Sequence, residues 1–305
     1  MVLCFIALPV FAVLSIFSVK YRQLTLEALD CVLRTATLRK CRSRLDDRIK
    51  SYITGNTLKI SPKAAGFIYR NYKMLSWIVF ALFIFSIYGS SIGIYNYVKY
   101  GNCNGPQETG FCVLDPLASS NCKISEANVD FQSEIVYPVL ENNDPVRGSK
   151  DAQLTIIEFG CYSCEYTKNA EPIIDEVLES YNGKVNLQFK TFHLPQHPQS
   201  YQTALASDCA FEQNKYEQYH KAIFAVKEFN ENTINNVAKE IGLDMQKFSQ
   251  CMASEKYKDE VNADTLMGIH AHVKGTPTFF INNKVIAGPK PFKTFKTLID
   301  EELKK

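Results

Sequence analysis

The sequence predicts an α/β domain in its second half, preceded by a two-helix transmembrane hairpin. Three observations support this organisation. Residues 1–19 and 74–98 carry no charged side chain, the segment between them is strongly basic, and strand-like and helix-like patterns alternate from about residue 137. The chain of 305 residues is 46% hydrophobic and 22% charged, which excludes wholesale disorder. Its net charge of only +2 disfavours a dedicated nucleic-acid-binding protein.

The two uncharged runs are the candidate membrane spans. A spanning helix needs about 20 mostly apolar residues, so 74–98 is long enough and 1–19 is marginal. Trp77 and Tyr95 lie near the ends of the second run, where interfacial aromatic residues are expected. Two alternatives stay open. The first is that both runs are helices buried in a soluble core. The second is that residues 1–19 are a cleaved signal peptide, although they lack a basic n-region and a small-residue cleavage site.

The distribution of charge predicts the orientation of the hairpin. Residues 20–73 contain 13 Lys and Arg but only 4 Asp and Glu, a net charge of +9. Short loops with such an excess of positive charge stay in the cytoplasm. Both termini then face outward, and everything after Lys99 is extracytoplasmic. The sequence therefore predicts an integral protein of the cytoplasmic membrane.

Residues 99–136 are rich in Asn, Gly, Ser, Pro and Asp, which predicts an extracytoplasmic linker. This segment contains Cys103, Cys112 and Cys122. Three cysteines outside the membrane leave one sulfur over unless it pairs between chains. We favour a disulfide between Cys103 and Cys112, and the sequence does not determine this pairing.

The pattern of the remaining residues, 137–305, predicts one α/β domain. Strands are expected at 153–159, 184–192, 276–281 and 284–288, and helices at 165–181, through most of 199–257, and at 291–304. The order is strand, helix, strand, a long helical insertion at about 199–264, two strands and a helix. This order is typical of a thioredoxin-like fold with a helical insertion.

The chemistry-bearing motif is Cys161-Tyr-Ser-Cys164, which follows a predicted strand and begins a helix. The free N–H groups and the dipole at a helix start favour a thiolate, the species that attacks disulfides. With two sulfurs at this spacing, one forms a mixed disulfide and the other releases it. The motif therefore predicts a redox pair.

A zinc site is the alternative use of these cysteines, with His193 and His197 as further ligands. The 28 residues between the two pairs exceed the usual zinc-finger spacing, and Pro195 interrupts the helix that would present the histidines. We expect neither a metal nor another cofactor.

A second motif, Gly275-Thr276-Pro277, precedes a predicted strand. An X-Pro bond at a strand edge is a place where a cis peptide is used. Such a loop leaves a backbone N–H and C=O free to pair with an extended peptide. We therefore predict that Thr276 and Pro277 bind substrate, the alternative being an ordinary turn proline.

Residues from about 140 to 305 resemble the DsbA-like thiol-disulfide oxidoreductases. The matching stretches are DPVRGSKDAQLTIIEF, HLPQHP, ASDCAFEQNKYEQYHKAIF, FSQCM and VKGTPTFFINNKVIAG. The resemblance implies a redox dithiol, a cis-proline at Pro277 and peptide-thiol substrates. It also implies a structural disulfide between Cys209 and Cys251, with two free buried thiols as the alternative. Glu158 matches the semi-buried acid of the family, which assists proton transfer to the leaving thiolate; otherwise it is an ordinary carboxylate at a strand end.

The sequence departs from the usual register of this family. In the family, four residues separate a Glu-Phe pair from the first cysteine, and a Glu-Pro pair begins seven residues after that cysteine. Cys164, not Cys161, has this spacing to the pairs at 158–159 and 171–172. Thr167 then occupies the position of the usual resolving cysteine. We therefore predict that Cys164 attacks and that Cys161, in the preceding turn, resolves.

The sequence as a whole predicts a membrane-anchored, extracytoplasmic thiol-disulfide oxidoreductase. Its expected partners are protein thiols and disulfides, an unidentified redox partner and the membrane, but no nucleic acid. The alternative is a redox-inactive peptide-binding module in which a Cys161–Cys164 disulfide is only structural. The direction of electron flow is not predicted.

Overall fold

The computed structural model describes residues 3–37, 45–109, 112, 122–123, 135–140, 144–194, 196–197, 199–226 and 232–305. These residues divide into two compact units, Met1–Ile92 and Gly93–Lys305. The predicted basic loop and the predicted linker therefore lie partly outside the described residues. Pro195, which separates the two histidines of the possible zinc site, also lies outside them.

The first unit is helical. Its helices are α1 (Leu3–Phe17), α2 (Val19–Ala36), α3 (Leu45–Leu58) and most of α4 (Pro62–Tyr100). Among the described residues, α4 is the one helix that is long and apolar enough to cross a membrane, and its most apolar stretch is not buried. This exposure is unlike that of a core helix in a soluble protein.

The first apolar run differs from the prediction. Its described apolar helix, Ala7–Phe17, is shorter than a membrane span. It packs against α2, where Ala7 lies in one small cluster with Ala28 and Cys31. Cys31 is disulfide-bonded. The two-helix hairpin is therefore not confirmed, and a span at 1–19 stays a prediction.

The second unit contains a five-stranded mixed sheet. Its strands are β2 (Val146–Gly148), β3 (Leu154–Gly160), β4 (Val185–Thr191), β6 (Thr278–Ile281) and β7 (Lys284–Ala287). Their order across the sheet is β2-β4-β3-β6-β7. The two central strands, β3 and β4, are parallel, and the other neighbours are antiparallel. Strands β3 and β4 are buried nearly throughout. Parallel strands inside a sheet are covered on both faces, so even the polar residues of β4 are buried.

The helices of this unit cover the sheet and form the insertion. They are α5 (Glu165–Ser180), α6 (Ser200–Glu212), α7 (Tyr216–Ala225), α8 (Thr233–Glu240), α9 (Met245–Ala253), α10 (Lys258–His270) and α11 (Phe292–Glu302). The insertion extends to His270, beyond the predicted end at 264, because α10 continues without a break. A disulfide joins Cys209 in α6 to Cys251 in α9.

Part of the predicted linker lies against the domain instead of projecting as a free stalk. Three of its backbone oxygens accept hydrogen bonds from the domain. Tyr100 O accepts from Thr294 Oγ1 at 2.7 Å, and Pro106 O accepts from Ala287 N at 2.9 Å. Glu108 O accepts from Lys290 Nζ at 2.7 Å. A disulfide joins Cys103 to Cys112. Further along, β1 (Cys122–Lys123) pairs with β5 (Gly275–Thr276) in a separate two-stranded sheet. Local sequence pattern does not reveal this docking because each contact joins residues far apart in the chain.

Candidate active site

The two motif cysteines lie where β3 turns into α5. Cys164 is the N-cap residue of α5, and its backbone N–H donates to the Cys161 carbonyl oxygen at 3.0 Å. Cys161 therefore lies in the turn before the helix. Of the two sulfurs, that of Cys164 is closer to the free N–H groups at the helix start, whose effect falls off within one turn.

Cys164 also faces the segment around Pro277. Its Sγ lies 3.5 Å from the carbonyl oxygen of Thr276, and the Thr276–Pro277 peptide bond is cis. The structure thus brings together three residues that the sequence predicts as one site. Cys161 and Cys164 are not bonded to each other, because Cys161 is a free thiol whereas Cys164 is disulfide-bonded.

The Cys161 thiol is enclosed by polar groups from the first residue of α6 and from the turn before it. Its Sγ lies 3.1 Å from Ser200 Oγ and 3.4 Å from His197 Nδ1. Burial raises the pKa of the Cys161 thiol, and the Ser200 hydroxyl and nearby backbone N–H groups oppose this only in part. Cys161 is therefore a protonated thiol at neutral pH, which suits a resolving group more than an attacking one.

Thr167 occupies the position that the family register assigns to the resolving cysteine. Its side chain is fully buried, and its Oγ1 accepts a hydrogen bond from the Cys161 backbone N–H at 3.4 Å. The preceding Gly160 is required by close packing, because a Cβ there would lie 2.4 Å from the Phe189 ring. Thr167 therefore supports the turn that carries Cys161 and supplies no sulfur.

Glu158 is a fully buried carboxyl on β3. Neither of its oxygens has a hydrogen-bond partner among the described residues. Burial raises the pKa of Glu158 well above its usual value; the Glu171 carboxylate adds to this increase and Arg147 opposes it. Glu158 therefore keeps its proton to a higher pH than an ordinary strand-end carboxylate.

A buried polar network connects the motif to the rest of the domain. Arg147 donates to Glu171 Oε2 at 2.9 Å and to Asp175 Oδ1 at 2.7 Å, and its Nη1 lies 3.1 Å from His220 Nε2. His220 Nδ1 lies 3.2 Å from the hydroxyl of Tyr162, which stands between the two motif cysteines. Burial lowers the pKa of His220, although the Glu171 carboxylate, whose Oε2 lies 3.2 Å from Nε2, opposes this in part. The network therefore holds Tyr162 without adding a positive charge.

Sequence reasoning missed Ser200 and this network. Arg147 lies in the stretch DPVRGSKD, which was used only as a marker of resemblance. A buried arginine leaves no local signal, because its partners come from two distant helices. Ser200 lies two residues after the HLPQHP stretch, and its nearness to that stretch is the only signal that the sequence offers for it.

The histidines of the zinc alternative do not form a metal site with the cysteines. His193 Nδ1 lies 2.9 Å from Thr265 Oγ1, whereas His197 lies beside Cys161. In the part of the chain that the structure describes, no group of three or more His, Cys, Asp or Glu side chains has metal-binding geometry.

Comparison with known proteins identifies a family for the second half of the chain. Residues 141–301 match the family described as Thioredoxin. The Na⁺/H⁺ antiporter NhaA 3 of Salinispora tropica is 29% identical over 160 residues, which cover 51% of this chain and 24% of the antiporter. The antiporter NhaA 1 of Mycobacterium sp. (strain KMS) is 32% identical over 159 residues, which cover 51% and 26%. The match therefore spans about a quarter of the length of these curated relatives.

A solved structure supports the same assignment of fold. A thioredoxin-like oxidoreductase from Silicibacter pomeroyi DSS-3 superposes with a TM-score of 0.51 at 23% identity, covering 54% of this chain and 95% of its own. The predicted thioredoxin-like fold is thus confirmed. Since the family match covers more than half of the chain, this protein belongs to the thioredoxin family.

Proposed function

We propose that this chain is a membrane-anchored thiol-disulfide oxidoreductase whose redox domain lies on the extracytoplasmic side. One observation carries the proposal. The Cys164 sulfur lies at the start of α5 and 3.5 Å from the Thr276 carbonyl, beside a second cysteine whose thiol is protonated and enclosed. This arrangement supplies an attacking sulfur, a backbone edge for an extended peptide, and a resolving sulfur.

The proposed exchange proceeds in two steps. The Cys164 thiolate attacks a substrate disulfide, so that one substrate sulfur joins Cys164 and the other leaves as a thiolate. Cys161 then loses its proton and attacks Cys164 Sγ, which releases the second substrate thiolate and leaves a Cys161–Cys164 disulfide. The same steps in reverse oxidise a substrate dithiol. A buried carboxyl such as Glu158 serves as the proton donor and acceptor for the leaving and attacking sulfurs.

The placement in the membrane rests on α4 and on the charges that precede it. The helix carries an exposed apolar stretch long enough for a span, and the net charge of +9 over residues 20–73 favours the cytoplasmic side for the segment before it. The thioredoxin domain follows α4 and so lies on the opposite side. This orientation does not depend on a span at 1–19.

Thiol exchange by the purified full-length chain tests the proposal. We expect catalysed reduction of insulin with a dithiol reductant, loss of this activity in Cys164→Ser, and a trapped mixed disulfide in Cys161→Ser. Cys41→Ser, the same chemical change outside the domain, is the matched control and should retain full activity. An inactive wild-type chain that still binds extended peptides would instead identify a peptide-binding module. Trapping only in Cys164→Ser would make Cys161 the attacking residue.

A further inference from the structure

The linker strand β1 occupies the backbone edge that a peptide substrate would use. Its residues Cys122 and Lys123 pair antiparallel with Thr276 and Gly275, respectively. Thr276 is the residue whose carbonyl oxygen lies 3.5 Å from Cys164 Sγ. The pairing therefore places the backbone of a cysteine of this chain directly beside the reactive sulfur.

The disulfide state of the second unit points to the same cysteine. Cys164 is disulfide-bonded although Cys161, its neighbour in the motif, is free. The other pairs of the unit are Cys103 with Cys112 and Cys209 with Cys251. Within Gly93–Lys305, the remaining cysteine is Cys122.

We propose that Cys122 is a third redox cysteine of the chain, which forms a disulfide with Cys164 while its strand fills the substrate edge at Gly275–Thr276. This inference rests on the proposed function only in assigning exchange chemistry to Cys164. The linker thus acts as an internal substrate.

The step is a balanced thiol-disulfide exchange. The Cys122 thiolate attacks Cys164 Sγ of a Cys161–Cys164 disulfide, the bond between Cys161 and Cys164 breaks, and a Cys122–Cys164 bond forms. Cys161 leaves as a thiolate and takes up the proton that Cys122 released. No external oxidant is needed, because one disulfide replaces another. The product matches the observed state, a bonded Cys164 beside a free and protonated Cys161.

Contacts on both sides of β1 hold the linker near this site. Before it, Glu108 O accepts a hydrogen bond from Lys290 Nζ at 2.7 Å. After it, Val136 N donates to His270 O at 3.0 Å, and the Tyr137 ring packs edge-to-face on Phe280. A segment tethered at both ends has a high effective concentration at its binding edge, so a two-residue strand suffices to compete with free substrates.

Peptide mapping under non-reducing conditions tests the inference directly. The full-length chain is alkylated, digested with trypsin and analysed by mass spectrometry. The segments 100–123 and 151–168 contain no internal Lys or Arg, so each is released as one peptide. We expect these two peptides to be disulfide-linked in the wild type. They should also be linked in Cys161→Ala once the reduced variant has been reoxidised with glutathione disulfide, which here replaces the missing Cys161–Cys164 disulfide as oxidant. They should be separate in Cys122→Ser. Alkylated Cys122 in the wild type, together with unlinked peptides in Cys161→Ala, would overturn the inference.

A kinetic measurement tests the competition. Cys122→Ser should react about tenfold faster than the wild type with an excess of a peptide disulfide after mild reduction, because the tethered competitor is gone. Cys41→Ser, a matched control outside the domain, should react at the wild-type rate. Equal rates for all three chains would contradict the proposed competition. Linked peptides in a chain that never reduces insulin would overturn the proposed function but leave the internal disulfide established.

Discussion

At the scale of single residues, the two sulfurs of the motif differ in their surroundings. Cys164 caps α5, whereas Cys161 lies in the turn before it, enclosed by Ser200 and His197. Burial raises the pKa of Cys161, and a helix start favours the thiolate of Cys164. The surroundings therefore divide the roles of the two cysteines more clearly than their spacing does.

This difference predicts the order of alkylation. When the reduced full-length chain is treated with iodoacetamide at pH 6, Cys164 should be labelled first, because only thiolates react. Cys161 should react appreciably only at higher pH, and Ser200→Ala should delay it further by removing a hydrogen bond to the thiolate. Mass spectrometry of the timed digests gives the order. Faster labelling of Cys161 would reverse the assigned roles.

Glu158 predicts a dependence of stability on pH. Its pKa in the folded chain is raised, so the folded state holds a proton that the unfolded state releases above the ordinary pKa of glutamic acid. The free energy of unfolding therefore falls as pH rises through that window, by about 1.4 kcal/mol per pH unit, and then levels off above the raised pKa.

Replacing Glu158 by Gln should abolish this decline. Thermal unfolding midpoints measured in one detergent from pH 4 to pH 8 should then depend less on pH than those of the wild type. Glu176→Gln, the same change at an exposed position of α5, is the matched control and should follow the wild-type profile. Identical profiles for all three chains would show that Glu158 is ionised in the folded state.

At the scale of secondary-structure elements, Arg147 joins an edge strand to two helices. It lies on β2, contacts Glu171 on α5 and approaches His220 on α7. Removing one member of a buried ion pair leaves an uncompensated charge and costs about 3–5 kcal/mol. Arg147→Met should therefore lower the stability to urea by about this amount. Lys150→Met, a nearby exposed substitution, should change it little, and equal effects of both would contradict the role of the buried pair.

The elements that the sequence predicts correctly are those with a local signal. Strand β3 is mostly apolar, β4 alternates apolar and polar residues, and α5 has regular helical spacing, so all three lie close to their expected bounds. Strand β2 has only three residues, one of them a buried arginine, and the sequence does not predict it. Short edge strands acquire their structure from a neighbouring strand, here β4, and not from a pattern of their own.

The same distinction holds for the candidate site. Its cysteines and the Thr276-Pro277 segment were expected from short motifs, because the chemistry requires those residue types at those spacings. The enclosure of Cys161 by Ser200, and the pairing of β1 with β5, depend on how distant segments fold together. No local pattern encodes contacts of that kind.

At the scale of the whole molecule, the topology is the main prediction. Alkaline phosphatase is active only outside the cytoplasm, so a fusion after Lys305 should be active, whereas a fusion after Ile60 should be inactive. An epitope tag at the N-terminus distinguishes one membrane span from two. If antibody reaches the tag in intact cells, the N-terminus is outside and a span must precede α2. An active fusion after Ile60 would contradict the cytoplasmic assignment of the basic segment.

The enclosure of both motif sulfurs has a consequence for chemical damage. Peroxide converts exposed thiolates to sulfenic acid and then irreversibly to sulfinic and sulfonic acids. In the state described above, Cys164 is already in a disulfide and 1% exposed, and Cys161 is protonated and 2% exposed. Neither sulfur then presents a thiolate to solvent. In this state the two sulfurs therefore resist overoxidation, and they become vulnerable only when the Cys164 disulfide is opened.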